Sequence, residues 1–169
     1  MDLLKYVSLA TTPHQVVAAG ADYLKEKGFE ELTLGKSFDI KKGGKYYLTA
    51  YSTSLIAFTI GEETKENQVF HVAAAHTDHP CLHIKPKAEM APGKYLKIDT
   101  EIYGGPILNT WLDRPLGVAG RVAVRSNDVF HPEMRMFISK KNITIPNLAI
   151  HMNREVNKGV ELNKQTELL

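Results

Sequence analysis

Cysteine is nearly absent: Cys81 is the only one in 169 residues. A lone thiol cannot close an internal disulfide, so the composition points to a reduced, cytoplasmic setting and not to a disulfide-stapled secreted domain. Long apolar runs are missing too. No stretch approaches the roughly 20 residues that cross a bilayer. The opening "MDLLKYVSLA" lacks the basic start and apolar core of a secretion signal, so neither a leader nor a membrane partner is expected. One-sided charge is lacking as well. The net charge is +2, with 21 Lys and Arg against 19 Asp and Glu, and no basic block stands out. That removes the electrostatic footprint of a nucleic-acid binder. There is no internal repeat and no low-complexity tract.

What is present has the balance of a globular protein: 43% apolar and 24% charged residues, over the length of one ordinary domain. "TTPHQVVAAGADYLKEKGFEEL" reads as a helix. Thr12 suits the N-cap, Pro13 the first helical position and Gly28 the C-terminal stop. Val16, Val17, Ala19, Tyr23 and Leu24 recur at helical spacing. "GGKYYLTAYSTSLIAFTIGEE" reads as two strands turned at "STS". "QVFHVAAAHTD" is expected to be a third strand. Val69, Ala73 and Ala75 lie on one face and Phe70, Val72 and Ala74 on the other, which predicts burial on both sides in the middle of an α/β sheet.

Beyond Leu82 the character changes. "LHIKPK", "YLKIDTEIY", "GVAGRVAVRS", "MRMFISKK" and "NLAIHM" read as short strands, separated by the turn signals "APG", "YGGP", "SND" and "HPE". The expected architecture is therefore α/β: an incomplete α/β layer over residues 1–81, followed by a β-rich inserted domain over 82–169. The first part is too small to make a complete doubly wound sheet by itself.

Chemistry concentrates in "VFHVAAAHTDHPCLHIKP", which holds four histidines, an aspartate and the only cysteine. The bland reading of His76 is a surface or hydrogen-bonded histidine at a strand end. The functional reading is metal ligation, because ligands of open α/β sheets gather at the carboxyl ends of strands. A metal-bound histidine needs its other ring nitrogen held, usually by a carboxylate. Asp78, two residues on, shares the side of His76 while the chain stays extended, and Thr77 points away. His79, Cys81 and His83 could also bind zinc in principle. Solvent exposure, local hydrogen bonds or a small buried thiol are the plainer readings for them.

Three blocks carry a resemblance: "AAAHTDHPCLHIKP", "YGGPILNTWLDRPLGVAGRV" and "IPNLAIHMNREVNKGVELNKQTELL". In this order and separation they resemble the aspartyl aminopeptidase family of dinuclear-zinc exopeptidases, over nearly the whole chain. The resemblance implies that His76 is a zinc ligand and that Asp78 is the carboxylate orienting it. It implies that His151 helps bind peptide substrate, reaching a neighbouring subunit's active site in a homo-oligomer. On its own pattern His151 would read as a strand histidine facing solvent. The chain departs from the family at His79, where Ser is usual, at His83, where Arg is common, and at Pro115, where an acid is common. The family's remaining zinc ligands and its catalytic glutamate have no counterpart here, so the chain is expected to be the N-terminal portion of a longer enzyme. Two other classes stay open at this point: a non-catalytic assembly or regulatory module derived from that family, and a small structural-zinc protein using His76, His79, Cys81 and His83.

Overall fold

The computed structural model describes residues 1–63, 69–128 and 130–159. The chain divides into two units, the first comprising Met1–Asp78 and Ala119–Phe137, the second His79–Val118 and the chain from Ile138 onward.

In the first unit, α1 (Leu3–Leu9) is capped by Asp2, whose carboxylate accepts the Lys5 amide at 2.7 Å. Its seven residues are too few to show a periodicity, and it was not expected. α2 (Pro13–Glu26) follows the expected signals. Thr12 is the N-cap and Pro13 opens the first turn. Gly28, at φ +78, takes the left-handed position after the last turn. There its amide donates to the Lys25 carbonyl and the Phe29 amide to the Leu24 carbonyl, the paired bonds of a glycine-stopped helix. The Tyr6 hydroxyl donates to the Val16 carbonyl at 3.0 Å, tying α1 to α2.

α2 packs on a mixed sheet. β1 (Glu30–Glu31) runs parallel to β2 (Lys45–Ala50), and β2 runs antiparallel to β3 (Ser54–Thr59). Tyr46, Tyr47 and Leu48 are all buried, so β2 is covered on both faces. Leu32, Tyr46 and Leu48 form the core cluster, with Phe58 and Ile60 against it. Tyr47 donates to Glu31 at 3.2 Å. β6 (Ala119–Val124) and β7 (Glu133–Ile138) make a two-stranded sheet. The buried Gln15 donates from Nε2 to the Phe137 carbonyl at 3.4 Å, bringing the end of β7 to the start of α2.

In the second unit, β4 (Cys81–Met90) and β5 (Lys97–Tyr103) pair antiparallel, with a bulge between Ile84 and Glu89. Lys85 bridges to Asp99 at 3.1 Å, and the His83 ring stacks on Tyr103 with centroids 4.7 Å apart. A 3-10 turn, Leu108–Trp111, leads into isolated bridges of Leu112 with Ile145 and Leu116 with Ile143.

Two expected strands are corrected. Residues 69–76 form no strand, and Val69, Phe70 and Val72 are 78%, 81% and 85% exposed. Gln68, where that strand was to begin, lies outside the described residues. The physical reason is a lack of neighbours: the order β1-β2-β3 leaves this segment unpaired, and a strand apolar on both faces forms only between partners. "NLAIHM" is likewise not a strand. Residues 146–149 are irregular and exposed, and His151 lies in a turn. Pro146 has no N–H to offer a ladder.

Candidate functional site

The tip of the β2–β3 hairpin builds the site from below. Tyr51 and Ser52 both adopt positive φ, 52° and 59°, and the Thr53 amide donates to the Ala50 carbonyl at 3.2 Å. Two left-handed central residues match the right-handed twist of the flanking strands. His14 Nδ1 lies 3.1 Å from the Ser52 carbonyl, and Arg121 Nη1 donates to Ser52 Oγ at 3.4 Å. The carbonyl of the next residue, Thr53, accepts a 2.8 Å hydrogen bond from Thr77 Oγ1. That bond fastens the irregular 69–78 segment to the hairpin tip.

Thr77 is turned toward the hairpin, and the side chains on either side of it, His76 and Asp78, meet each other. His76 Nδ1 lies 3.0 Å from Asp78 Oδ1. The His76 side chain is 89% exposed and that of Asp78 35%. The expected sharing of a side by His76 and Asp78 is thus present, although the strand that was to carry them is not. The chain bends at Thr77, and the contact forms across that bend.

His151 belongs to the second unit. The Met152 and Asn153 amides donate to the Ala149 carbonyl, at 2.8 and 3.1 Å, and close a turn around it. The side chain is exposed. His83 is taken up by its stack on Tyr103, and Cys81 is half-buried. Among the described residues no three His, Cys, Asp or Glu side chains converge on a possible metal position, so a structural zinc site built on the His79–His83 stretch has no geometry behind it. Sequence reasoning missed Thr53, His14 and Arg121. The turn itself was expected at "STS", but the contacts these residues make join positions 24 to 69 apart in sequence, which no local signal announces.

Comparison with known proteins gives a consistent result. The aminopeptidase I zinc metalloprotease family (M18) matches residues 6–169. A "Probable M18 family aminopeptidase 2" of Clostridium novyi is 43% identical over 170 residues, covering 99% of this chain and 39% of the relative. The chain therefore spans about two fifths of the length of such curated relatives. Among solved structures, one in the cryo-EM complex of Ape4 and Nbr1 superposes with a TM-score of 0.91 at 34% identity, over 98% of this chain and 32% of that one. The mApe1 dodecamer of S. cerevisiae gives 0.76 at 25% identity, over 87% of this chain and 35% of that one.

Proposed function

The chain belongs to the aminopeptidase I zinc metalloprotease family, M18, and on that premise we propose that it is part of a zinc-dependent aminopeptidase releasing N-terminal residues from peptides. At the residue level one observation carries this reading: the 3.0 Å contact of His76 Nδ1 with Asp78 Oδ1 beside an open imidazole. An ionised carboxylate only accepts, so in the neutral ring Nδ1 carries the hydrogen and Nε2 presents its lone pair outward. That is the form in which histidine binds zinc, and a carboxylate on the far nitrogen is its common orienting partner. The residues thus fit one ligand position.

Zinc, when bound, supplies Lewis-acid polarisation of the scissile carbonyl and activation of a water. This chain's own residues do the positioning. His76 presents Nε2, Asp78 stops the ring from rotating, and Thr77 pins the segment to the hairpin tip. The proposed substrates have acidic N-terminal residues, with neutral ones as the alternative. His151 is read as a substrate contact, carried by a β-rich inserted domain and reaching a neighbouring subunit of a cytoplasmic homo-oligomer. Its exposed turn and the dodecamer of the S. cerevisiae relative support that reading.

A catalytic zinc normally takes about three protein ligands. The other donors and the general base then belong to the part of the relatives' length that this chain does not span. The 169-residue chain alone is expected to release no N-terminal residue, with or without added zinc. The decisive experiment substitutes His76→Ala and Asp78→Asn in the enzyme that carries this chain and measures bound zinc and peptide turnover together. We expect His76→Ala to lose one zinc per subunit and nearly all activity, and Asp78→Asn to weaken zinc retention about 10–100-fold. Full zinc occupancy and activity in His76→Ala would refute the assignment.

A further inference from the structure

We infer that Asp113 is a positioning residue for His151: it anchors the segment that carries the histidine and presents it at a fixed place. The inference rests on the reading of His151 as a substrate contact. Four observations converge on Asp113. Its Oδ1 accepts the Asn147 amide at 2.8 Å, across 34 residues of sequence. Its own amide donates to the Ile145 carbonyl at 2.9 Å. The residue before it, Leu112, forms a parallel bridge with Ile145, which is 7% exposed and so a buried fixed point. Asp113 itself sits at φ +54, a region that aspartate tolerates better than most side chains. The unusual backbone angle turns the carboxylate toward Asn147 while the amide still reaches Ile145.

The chain just beyond Asn147 makes this anchor matter. Asn147 Oδ1 accepts the Leu148 amide at 2.9 Å, and the Ala149 carbonyl closes the turn around His151. No ladder holds residues 146–149, which are irregular and exposed. Between the buried Ile145 and the turn, the carboxylate of Asp113 reaches in from a distant part of the sequence and grips this stretch. Without it the turn would survive locally, but its placement relative to Ile145 would loosen.

Three substitutions separate the effects. Asp113→Gly removes the carboxylate and is at ease at positive φ. Asp113→Asn keeps an acceptor oxygen and tolerates the same φ. His151→Ala removes the group being positioned. The first measurement is amide hydrogen exchange on the chain itself. Asp113→Gly should speed exchange at Asn147 roughly tenfold and more weakly at Met152 and Asn153, as expected for losing a charge-assisted bond. The β4–β5 amides should not change, and Asp113→Asn should restore most of the protection. Unchanged exchange at Asn147 in Asp113→Gly would overturn the anchor.

The second measurement is a double-mutant cycle on kcat/KM in the enzyme that carries this chain. Asp113→Gly should lower kcat/KM about tenfold with zinc content intact, with Asp113→Asn recovering most of it. In the His151→Ala background it should add less than about twofold, because both changes act through one group. A full additional tenfold loss would show that Asp113 acts elsewhere, overturning the inference. If His151→Ala leaves kcat/KM untouched, the reading of His151 fails and takes the catalytic consequence with it, while the exchange result still decides the anchor.

Discussion

Tyr51 and Ser52 hold left-handed backbone angles without being glycine or asparagine, and replacing them should stabilise the first unit. A left-handed backbone costs an ordinary L-residue about 1–2 kcal/mol. Tyr51→Asn with Ser52→Gly supplies the pair that such a turn prefers. Tyr51 is 92% exposed, so its removal forfeits little packing. The loss at Ser52 is the 3.4 Å bond from Arg121, exposed and long, worth a few tenths of a kcal/mol at most (about 0.5). The greater freedom of glycine in the unfolded chain takes back about 0.5–1 kcal/mol. The contacts of His14 with the Ser52 carbonyl and of Thr77 with the Thr53 carbonyl use backbone oxygens and survive both changes. The net gain should be roughly 1–2 kcal/mol, which for a chain of this length is a rise in Tm of about 2–8 °C. Scanning calorimetry of the double variant measures it, and amide exchange in β2 and β3 should slow in parallel. A lowered Tm with intact secondary structure would show that the turn is not strained as its angles imply.

Three further outcomes are expected. Burial, and after it the neighbouring Glu31, raises the Tyr47 phenol above its ordinary 10.0; the unfolded chain then gives up this proton first, so the stability tied to Tyr47 is complete below about pH 10 and declines as pH rises beyond it, and Tyr47→Phe should flatten the fall in urea midpoint between pH 9 and 11, an unchanged slope refuting the link. The His131 ring first, then the Phe130 amide, hold the Asp128 carboxyl below its ordinary 3.8; the stability these contacts supply is present above that value and lost as pH falls through the lowered one, and carboxyl NMR should show His131→Ala bringing the titration back toward 3.8. Thr77→Val removes the 2.8 Å bond to Thr53 at a cost of about 1 kcal/mol; it should raise the mobility of His76 in side-chain NMR relaxation while Thr77→Ser does not, and equal effects of both would mean that the hydroxyl is not the anchor.

The parts of this fold legible in the sequence are those whose determinants lie within a few residues of each other. The stop of α2 needed only Gly28 and the four residues before it. The alternation of β4 and β5 and the turn signals between them needed nothing distant. The His76–Asp78 pair needed only one intervening residue, and it closes across a bend at Thr77. The illegible parts depend on contacts far along the chain. Thr77 finds Thr53 across 24 residues, Gln15 finds Phe137 across 122, and Asp113 finds Asn147 across 34. No pattern in one sequence announces such pairs, because a threonine hydroxyl or an aspartate carboxylate has many possible partners and only the fold chooses among them.

The failed strand at residues 69–76 shows the same division within one segment. Its composition is plain: Val69, Phe70 and Val72 are apolar on alternating faces. Composition states what a segment needs, which here is a neighbour on each edge and cover on each face. Whether the need is met depends on other residues. In the structure it is not met, and the three side chains stand 78–85% exposed, which at about 25 cal/mol per Å2 of apolar surface is a standing drive toward association. His76 and Asp78 at the end of this segment nevertheless keep their 3.0 Å contact. Their geometry is set locally and from beneath, through Thr77 and the hairpin tip, and not by the strand. A ligand position that assembles without its sheet can be tested without it. The His76 ring of the isolated chain should already show the tautomer with hydrogen on Nδ1 in nitrogen NMR, at a pH where the ring is neutral and Asp78 ionised. A ring favouring hydrogen on Nε2 would mean that the pairing needs the missing neighbours after all.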